Sequence, residues 1–346
     1  MIRGPGPRRV AIVGGGIAGL SCAKVLCDAG LSVTLFDKAR KLGGRSSTRR
    51  VTLTEAGQTS FDHGAQYFTV RDPSFAALIE RWRALGEVAP WRPRLRALVA
   101  GSDFRSVASE PILDDVERLV ALPGMSRLPQ LLLESIDPNR IDVHVDTRIV
   151  RVDREKFDWE LQDAKGRRHD RFDQVILDLP AGQAAPLLAG HTPELEARAL
   201  ACPMDPCWTL MLRPRRDLDL DFDAAFVSNS PLAWVADNGS KPGRPPGQSW
   251  VLQAEGAWSQ THLEHDPGWI AQELLAAFSA LIHRSIEIDL LDVHRWRYAK
   301  PTPLPEPFLH STLGIGACGD WCGGPRIEGA FLSGQALAES ILQTQD

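Results

Sequence analysis

The stretch RRVAIVGGGIAGLSCAKVLCDAGLSVTLFDK, residues 8–38, decides the fold of this chain. The apolar run Val10–Val13 predicts a buried strand, and the glycine-rich hexapeptide GGGIAG at 14–19 follows it directly. Leucines and alanines then recur at helical spacing, and Val33–Phe36 predicts a second strand. A strand, a glycine turn, a helix and a second strand in this order are typical of a dinucleotide-binding βαβ unit.

Each glycine of that turn has a physical task. Gly14 permits the tight turn, Gly16 lets the backbone approach a pyrophosphate, and Gly19 lets the helix and the strand pack closely. The N-terminus of the helix then faces the phosphates. Asp37 lies 23 residues after Gly14, where its carboxylate can accept hydrogen bonds from an adenosine ribose. The same carboxylate would repel a 2′-phosphate, which argues against NADP in this site.

A second glycine-rich segment, KARKLGGRSSTRR at 38–50, follows the acidic residue. Gly43, Gly44 and Arg45 disfavour a helix and favour a loop that surrounds a phosphate. The alternative is a basic loop without a ligand. A simple NAD dehydrogenase has no need of such a second loop. The segment resembles the second diphosphate loop of the flavin amine oxidase superfamily, so we expect FAD rather than NAD.

Length and charge narrow the classes of function. The chain has 346 residues, 43% of them apolar, and a formal net charge of −5. This length predicts about two domains of globular structure. The negative charge argues against nucleic acid or an anionic membrane as the main partner. No run of about 18 apolar residues is present, so we expect no membrane span.

The thiols and the basic residues bear on the compartment. Six cysteines are scattered through a chain too long to need disulfides, so we expect reduced thiols in a cytoplasm. The apolar run after the twin arginine breaks at once into glycines, which predicts a strand there and no signal sequence. Thirty-two arginines against seven lysines indicate a GC-rich, bacterial genome rather than a function.

The rest of the chain predicts an inserted second domain. Residues 141–179 alternate apolar and polar side chains as strands, and from about 186 to 305 strands are separated by Pro, Gly and Asn turns. Asp266 is the expected N-cap, and Pro267 the first residue, of a helix that covers this inserted sheet. We expect one apolar face of the sheet to carry four tryptophans: Trp208, Trp234, Trp250 and Trp258.

We therefore predict an α/β fold, in which a Rossmann-like FAD-binding domain carries an inserted α+β substrate domain built on an antiparallel sheet. The FAD-binding domain is expected to be discontinuous. Its predicted bounds are 1–72, 118–185 and 306–346, and those of the substrate domain are 73–117 and 186–305.

The C-terminal segment LGIGACGDWCGGPRIEGAFLSGQ, 313–335, predicts a short strand, a loop and a helix from about Glu328. Asp320 follows the strand and could accept a hydrogen bond from a ribityl hydroxyl. The N-terminus of the helix can supply positive potential to the N1–C2=O edge of a reduced flavin. Cys318 and Cys322 lack a second pair of ligands, so we expect no metal site.

The order of these motifs resembles the flavin amine oxidase superfamily across essentially the whole chain. Four stretches are similar to renalase-type members of it: DKARKLGGRSST at 37–48, DHGAQYFT at 62–69, HRWRYAKPT at 294–302 and GDWCGGPRIEGAF at 319–331. The resemblance implies noncovalent FAD and oxidation of 2- or 6-dihydro-NAD(P), isomers reduced at the wrong ring carbon. The products would be NAD(P)⁺ and, after O2 reoxidises the flavin, H2O2. The expected partners are this small-molecule dinucleotide and O2.

Such chemistry needs no acid or base from the protein. A dihydropyridine becomes aromatic when it loses hydride, so the protein need only hold substrate and flavin face to face and exclude water. No Ser/His/Asp set stands out in the sequence. We therefore assign no catalytic acid or base, because flavin N5 carries the chemistry.

A flavin-dependent amine oxidase is the main alternative. Those enzymes commonly use a lysine near flavin N5 and an aromatic pair that cages the amine. No lysine occurs from 166 to 240, and Ile327 stands where a cage aromatic is expected. A desaturase or a protoporphyrinogen-type oxidase is a third alternative, and a non-catalytic flavin- or nucleotide-binding protein is one of another class. The preferred isomer, the choice of NAD or NADP, the physiological acceptor and the oligomeric state stay open.

The stretch FDHGAQYFTV, 61–70, lies just after the second diphosphate loop. Its small residues would let the backbone approach the flavin, whereas Gln66 and Tyr67 would face the substrate; the role of His63 stays open. The motifs and the resemblance together predict these cofactor contacts: Gly14, Gly16, Ile17, Ala18, Gly19, Asp37, Lys38, Gly43, Gly44, Arg45, Ser46, His63, Gly64, Ala65, Gln66, Ile149, Asp320, Arg326, Ile327 and Ala330. The predicted substrate contacts are Gln66, Tyr67, Trp234, Asn238, Trp296 and Tyr298.

Overall fold

The computed structural model describes residues 8–53, 57–101 and 107–344, and the chain divides into two compact units. The described residues of the first unit lie within Met1–Ser46, Leu128–Met204 and Pro301–Asp346. Those of the second unit lie within Ser47–Arg127 and Asp205–Lys300. The second unit is therefore built from two segments that are inserted into the sequence of the first.

Helices and strands alternate along much of the described chain. The helices are α1 (Ile17–Asp28), α2 (Pro73–Ala84), α3 (Arg127–Glu134), α4 (Ala181–Leu188), α5 (Pro193–Leu200), α6 (Gly256–Thr261), α7 (Pro267–Leu281), α8 (Asp320–Gly323) and α9 (Ile327–Gln343). The strands are β1 (Arg9–Val13), β2 (Ser32–Phe36), β3 (Arg49–Leu53), β4 (Gly57–Phe61), β5 (Val88–Trp91), β6 (Leu95–Ala100), β7 (Val107–Pro111), β8 (Arg118–Ala121), β9 (Ile141–His144), β10 (Ile149–Glu155), β11 (Asp158–Asp163), β12 (Arg168–Phe172), β13 (Gln174–Leu177), β14 (Met204–Pro214), β15 (Ala224–Ser228), β16 (Leu232–Asp237), β17 (Trp250–Ala254), β18 (Ile288–Pro301), β19 (Leu309–Ser311) and β20 (Ile315–Ala317). Within the described ranges, no helix combines the length and the apolar character that a membrane span requires.

A six-stranded sheet forms the centre of the first unit, in the order β19-β20-β13-β1-β2-β9. The strands from β20 to β9 are parallel, and β19 adds an antiparallel edge. Val10, Ala11 and Ile12 of β1 are fully buried, as expected for a parallel strand with neighbours on both sides. The predicted βαβ unit is confirmed, because α1 follows the glycine turn and connects β1 to β2.

Helices α1 and α9 of the first unit pack through small residues. A Cβ atom on Gly334 would lie 2.1 Å from the carbonyl oxygen of Ala18, so the two backbones are in direct contact. The hydroxyl of Ser21 donates to the carbonyl of Phe331 at 2.9 Å. The C-terminal helix is thereby fixed beside the helix that follows the glycine turn.

A three-stranded antiparallel sheet, β10-β11-β12, also lies in the first unit. The alternation predicted for this region is confirmed in β11, where Trp159 and Leu161 are fully buried between more exposed polar neighbours. The buried strand that follows, β13, ends at Leu177, two residues before the end of the strand region 141–179 that the sequence predicts. Asp178 therefore lies just beyond the carboxyl end of a strand of the central sheet.

A seven-stranded sheet forms the centre of the second unit, in the order β18-β14-β17-β16-β15-β6-β7. Neighbouring strands from β14 to β15, and the pair β6 and β7, are antiparallel, whereas β15 and β6 are parallel. The predicted helix α7 covers one face of this sheet, with Ile270, Leu274 and Phe278 fully buried. The α/β fold class is confirmed, with a mixed sheet where we expected an antiparallel one.

Trp234 departs from the predicted grouping of tryptophans. Trp208 and Trp250 are buried in the cluster under α7, and Trp258 packs against that cluster. The register of β16 shifts between Leu232 and Trp234, and Trp234 packs among a different set of aromatic side chains. The prediction that all four tryptophans share one face was therefore wrong.

The bounds of the two units differ from the predicted domain bounds. Residues 47–72 and 118–127 lie in the second unit, and residues 186–204 and 301–305 lie in the first. Packing explains the difference: Phe61 of β4 packs on Met211 in the seven-stranded sheet, whereas Leu188 and Leu195 belong to the core of the first unit. Which residues serve cofactor and substrate stays a prediction.

Asp266→Ala should lower the free energy of unfolding by about 1 kcal/mol. The Oδ1 atom of Asp266 accepts from the N–H groups of Gly268 and Trp269 at 2.8 and 3.1 Å, and alanine removes this acceptor from the start of α7. Asp266→Asn keeps an oxygen at that position and should cost less. Urea unfolding followed by circular dichroism measures both changes. Equal losses in the two variants would contradict the capping role.

Candidate functional site

The glycine turn of the first unit has no room for side chains. A Cβ atom on Gly14 would lie 1.9 Å from the carbonyl oxygen of Asp178, and one on Gly19 would lie 2.5 Å from the carbonyl oxygen of Gly14. Gly14 also has a φ of +107°, which glycine adopts without strain. Helix α1 begins at Ile17 and has no acidic residue in its first turn, so its N-terminal N–H groups suit an anion.

The two predicted phosphate loops lie side by side. The N–H of Gly43 donates to the carbonyl of Gly15 at 2.8 Å, and a Cβ atom on Gly44 would lie 3.9 Å from the Cα atom of Gly16. The N–H of Ser46 donates back to the carbonyl of Gly43 at 2.9 Å and closes the second loop. The structure thus brings together the two glycine motifs that the sequence assigns to one diphosphate.

Asp37 directly follows β2 and accepts two backbone hydrogen bonds. Its Oδ2 atom accepts from the N–H of Gly15 at 2.8 Å, and its Oδ1 atom accepts from the N–H of Ala39 at 2.7 Å. Burial raises the pKa of Asp37, and these two N–H groups oppose the rise. The carbonyl of Asp37 accepts from the N–H of Thr147 at 2.8 Å, close to Ile149 at the start of β10. Asp37 and the start of β10, which carries Ile149, therefore lie together, and both residues are predicted cofactor contacts.

A two-pronged ion pair ties the second loop to the C-terminal segment. The Nη1 and Nη2 atoms of Arg45 donate to Oδ2 and Oδ1 of Asp320 at 2.7 and 2.6 Å. Asp320 begins α8, and Arg326 precedes α9, which begins at Ile327 within one residue of the prediction. The N–H of Ala330 donates to the carbonyl of Arg326 at 3.0 Å. The predicted cofactor contacts at both ends of the sequence thus belong to one unit.

Asp178 belongs to this site, and the sequence analysis missed it. Its Oδ2 atom accepts from the N–H of Gly19 at 2.8 Å, in the first turn of α1. Burial raises the pKa of Asp178 to about 7, against the opposing effect of the N–H groups of Gly19 and Gly16. The sequence signal that could have identified Asp178 was its position as an acidic residue at the carboxyl end of a buried strand. Lys38 directly follows Asp37, and its Nζ atom donates to Gln183 Oε1 at 3.3 Å.

In the second unit, Asp62 is a fully buried carboxylate between two fully buried cations. Its Oδ2 atom accepts from Nη2 of Arg244 at 2.6 Å and from Nζ of Lys241 at 3.3 Å. Its Oδ1 atom accepts from the N–H of Met125 at 3.0 Å. Burial alone would raise the pKa of Asp62, but Lys241 and Arg244 outweigh it, so this pKa lies below its ordinary value. We call Asp62, Lys241 and Arg244 the buried charge cluster.

Lys241 and Arg244 were missed because they lie in GSKPGRPPGQ, 239–248, a segment whose composition predicts a plain turn. Burial lowers the pKa of Lys241 to about 8, and the charge of Asp62 opposes this change. The Nζ atom of Lys241 also donates to Gln66 Oε1 at 3.2 Å and to Asn238 Oδ1 at 3.0 Å. The sequence signal for these two cations was Asp62, which directly follows β4, because a buried carboxylate needs a partner.

Gln66 and Asn238, two predicted substrate contacts, have their amide groups engaged within the protein. Asn238 has no exposed surface; its Oδ1 atom accepts from the N–H of Asp62 at 3.2 Å, and its Nδ2 atom donates to the carbonyl of Ser60 at 2.8 Å. Gln66 is buried, and its Nε2 atom donates to the carbonyl of Asp62. Both side chains hold the segment that follows β4. Their contact with substrate stays a prediction.

His63, His294 and Trp296 form a group of contacting aromatic rings in the second unit. The ring of His63 stacks on Trp296 at a centroid distance of 5.2 Å and meets His294 edge-on at 5.0 Å. The indole Nε1 of Trp296 donates to the carbonyl of His63 at 2.9 Å. Burial, followed by His294, lowers the pKa of His63 to about 4, so this ring is uncharged at neutral pH. Tyr298 lies two residues further along β18 and is half-buried.

Tyr67 and Trp234 belong to a cluster of aromatic rings that bears protein cations. Their ring centroids are 5.8 Å apart, and Trp91 lies 6.1 Å from Tyr67 and 6.5 Å from Trp234. The guanidinium of Arg118 lies over the ring of Tyr67 at 5.5 Å, and Nζ of Lys241 lies over the ring of Trp91 at 5.3 Å. The structure thus brings together two predicted substrate residues and adds Trp91, Arg118 and Lys241, which were not predicted.

The chain matches two family models. The model of the NAD(P)-binding Rossmann-like domain matches residues 12–82. The model of the flavin containing amine oxidoreductases matches residues 91–342, which is more than half of the chain.

Two curated relatives are bifunctional MnmC proteins of tRNA 5-methylaminomethyl-2-thiouridine biosynthesis. The protein of Thiobacillus denitrificans is 26% identical over 229 residues, which are 56% of this chain and 37% of the relative. The protein of Caulobacter sp. is 29% identical over 234 residues, 62% of this chain and 39% of the relative. The chain therefore spans less than half the length of these relatives. An L-amino-acid oxidase of Pseudechis australis is 52% identical over 44 residues, 13% of this chain and 8% of that protein.

Solved structures share the fold over the whole chain. A protein of Exiguobacterium sp. 255-15, assigned as a protoporphyrinogen oxidase, has a TM-score of 0.77 at 15% identity and covers 99% of this chain and 100% of its own. Cyclohexylamine oxidase of Brevibacterium oxydans has a TM-score of 0.74 at 12% identity, with coverage of 98% and 100%. At such identities the likeness supports the fold alone.

Asp62→Asn should destabilise the protein by roughly 3–5 kcal/mol, because it leaves two buried cations without a counter-charge. Lys241→Met should cost less, about 1–2 kcal/mol, since Arg244 still neutralises Asp62 and only the acceptors of Gln66 and Asn238 lose a partner. Urea unfolding of the two variants compares them. An equal or reversed order would show that the charge balance of the cluster does not govern its stability.

The buried amine should also make stability depend on alkaline pH. Lys241 has a pKa of about 8 in the folded chain against an ordinary value of 10.5. Between these values the unfolded chain holds more protons than the folded chain, so this group adds stability as the pH rises. We expect wild type to gain stability relative to Lys241→Met as the pH rises from about 7 to about 10. Parallel pH profiles of the melting temperature would contradict this.

Proposed function

The chain belongs to the flavin containing amine oxidoreductase family, and we propose that it is an FAD-dependent oxidase of isomeric dihydronicotinamide dinucleotides. Its substrates would be the 2- or 6-dihydro forms of NAD(P), which carry the added hydrogen at the wrong ring carbon. Loss of hydride would give NAD(P)⁺, and O2 would take up the electrons and leave as H2O2. Both reactants are small molecules, so the reaction needs no macromolecular partner.

This proposal rests on the two protein cations that lie over the rings of the aromatic cluster. An aromatic cage binds a substrate ammonium against the faces of its rings. In this chain, Arg118 and Lys241 already lie over the faces of Tyr67 and Trp91. Both cations are paired with carboxylates of the protein, and they occupy ring faces against which a substrate ammonium would lie. The flat rings of a dinucleotide can still stack on the remaining aromatic surface.

The contacts of the first unit fit FAD. The glycine turn leaves no space for Cβ atoms, the second loop lies against it, and a buried acid follows β2, as the adenosine diphosphate of FAD requires. The residues that we propose to hold FAD in this unit are Gly14, Gly16, Gly19, Asp37, Gly43, Gly44, Arg45, Ser46, Ile149, Asp320, Arg326, Ile327 and Ala330. When bound, FAD supplies the acceptor for the two electrons of the reaction.

The task of the protein side chains is to bind, orient and exclude water. We propose Tyr67, Trp296 and Tyr298 as the walls against which the dihydronicotinamide ring lies. His63 is uncharged at neutral pH, because burial and His294 lower its pKa to about 4, and a neutral ring does not disfavour hydride loss. The substrate ring gains aromaticity when hydride leaves, so no side chain has to remove a proton.

Amine oxidation is the second candidate, because the matched family is that of the amine oxidoreductases. The aligned strand β14, with the sequence MDPCWTLMLRP, contains no lysine. Lys241 lies outside that strand, and its Nζ atom is buried and donates to Asp62, Gln66 and Asn238. A lysine with these bonds differs from the one that amine oxidases place beside the flavin, which favours the first candidate.

Anaerobic mixing of the FAD-loaded protein with 2-, 4- and 6-dihydro-NAD(P) separates the two candidates. We expect the 2- or 6-dihydro isomer to bleach the flavin absorbance faster than the ordinary 4-dihydro form does. Admission of O2 should then restore the colour and release H2O2. Free FAD mixed with the same compounds gives the uncatalysed control. Bleaching by cyclohexylamine or putrescine, and by none of the dihydronicotinamides, would refute the proposal in favour of amine oxidation.

A further inference from the structure

A carboxyl group lies against the glycine turn of the first unit. Asp178 directly follows β13, and its Oδ2 atom accepts from the N–H of Gly19 at 2.8 Å. Cβ atoms on Gly16 and Gly19 would lie 2.8 and 2.7 Å from the same Oδ2 atom. Asp178 is half-buried, so part of the residue stays open to a ligand. The carboxyl group therefore contacts both the cap and the first turn of α1.

This position is also the one that suits the diphosphate of a dinucleotide. The N-terminus of α1 has positive potential, and its first turn contains no acidic residue of its own. The match of residues 12–82 to the NAD(P)-binding Rossmann-like domain points independently to such a ligand. Asp178 brings an acidic group from another part of the chain to the same N-terminus. A carboxylate there would repel the phosphates that the helix attracts.

The groups around Asp178 do not compensate for this repulsion. Asp37, after β2, adds negative charge, whereas Arg45 in the second loop is already paired with the acid that begins α8. The thiols of Cys22 on α1 and Cys318 after β20 stay uncharged, because burial raises the pKa of both. Burial, with a smaller effect of Asp37, raises the pKa of Asp178 to about 7. The carboxyl group can therefore change its charge near neutral pH.

We propose that Asp178 takes up one proton when the diphosphate of FAD binds at the glycine turn. Above neutral pH the free protein holds the carboxylate, and the complex holds the neutral carboxyl group. The reactants are the carboxylate form of the protein, FAD and one proton from solvent, and FAD keeps its own protons. This inference rests on the proposed function, because it requires bound FAD. It gives Asp178, which the sequence did not predict, a task in cofactor binding.

The proton makes the affinity for FAD depend on pH. The pKa of Asp178 is about 7 in the free protein, and the negative phosphates raise it in the complex. Between these two values the complex holds more protons than the free protein, so the affinity falls as the pH rises. We expect the dissociation constant of FAD to be about tenfold larger at about pH 8 than at about pH 6. The diphosphate keeps its charge over this range.

Asp178→Asn tests the role of the proton, because asparagine is neutral at every pH and keeps an oxygen for the N–H of Gly19. Each apoprotein is titrated with FAD across this pH range, and the flavin fluorescence gives the dissociation constant. We expect the variant to bind FAD with a constant affinity, about tenfold more tightly than wild type at about pH 8. Asp37→Asn should weaken binding and retain a pH dependence. Asp170→Asn changes an exposed acid of the same unit and should match wild type.

Calorimetry counts the proton without a variant. The heat of FAD binding near pH 8, measured in two buffers of different ionisation enthalpy, should show uptake of more than about half a proton per FAD. Asp178→Asn should abolish this uptake. Equal uptake in both proteins, or a wild-type affinity that does not change with pH, would overturn the role of Asp178 alone. If the variant does not fold, the wild-type pH profile and proton count decide the question. A wild-type protein that binds no FAD at any pH would overturn the proposed function, and this inference with it.

Discussion

The second unit depends on the neutralisation of one buried carboxylate. Asp62 has no exposed surface, and it accepts from Lys241, Arg244, the N–H of Met125 and the hydroxyl of Thr48. These partners come from the segment before β3, the turn after β8 and the turn after β16. An unpaired buried carboxylate would cost several kcal/mol, so these three parts of the chain have to be in place together. The position of the backbone at 62–67 follows from that requirement.

The first unit depends on a steric constraint, and this explains why the sequence predicts it well. A Cβ atom on Gly14 or Gly19 would collide with backbone, and one on Gly16 would collide with the carboxylate of Asp178. These three positions therefore require glycine, and the sequence shows them as glycines at a fixed spacing. Asp266 and Pro267, the cap and the first residue of α7, were also predictable, because each acts only on the helix that it begins. Local rules of this kind need no knowledge of the tertiary structure.

The contacts that the sequence did not predict join residues that are far apart in the chain. Asp62 and Lys241 are separated by 179 positions, and nothing in a turn rich in proline and glycine indicates a buried amine. The face on which Trp234 lies depends on a register shift in β16, which a period of two cannot show. Asp178 was hidden in an apolar run whose strand ends earlier than predicted. Gln66 and Asn238 were predicted as substrate contacts, and both lie beside the buried charge cluster. Their hydrogen bonds to Asp62 and Lys241 could not be predicted without that cluster.

Because Lys241 is buried, the reactivity of its amine can report motion in the second unit. Its side chain has no exposed surface, whereas the other six lysines of the chain all have some. Among the seven lysines, a reagent that acylates amines would therefore modify six readily and reach the seventh, Lys241, only when the turn that carries it opens. The rate of the seventh acylation would then measure how often the buried charge cluster separates, without unfolding the rest of the protein.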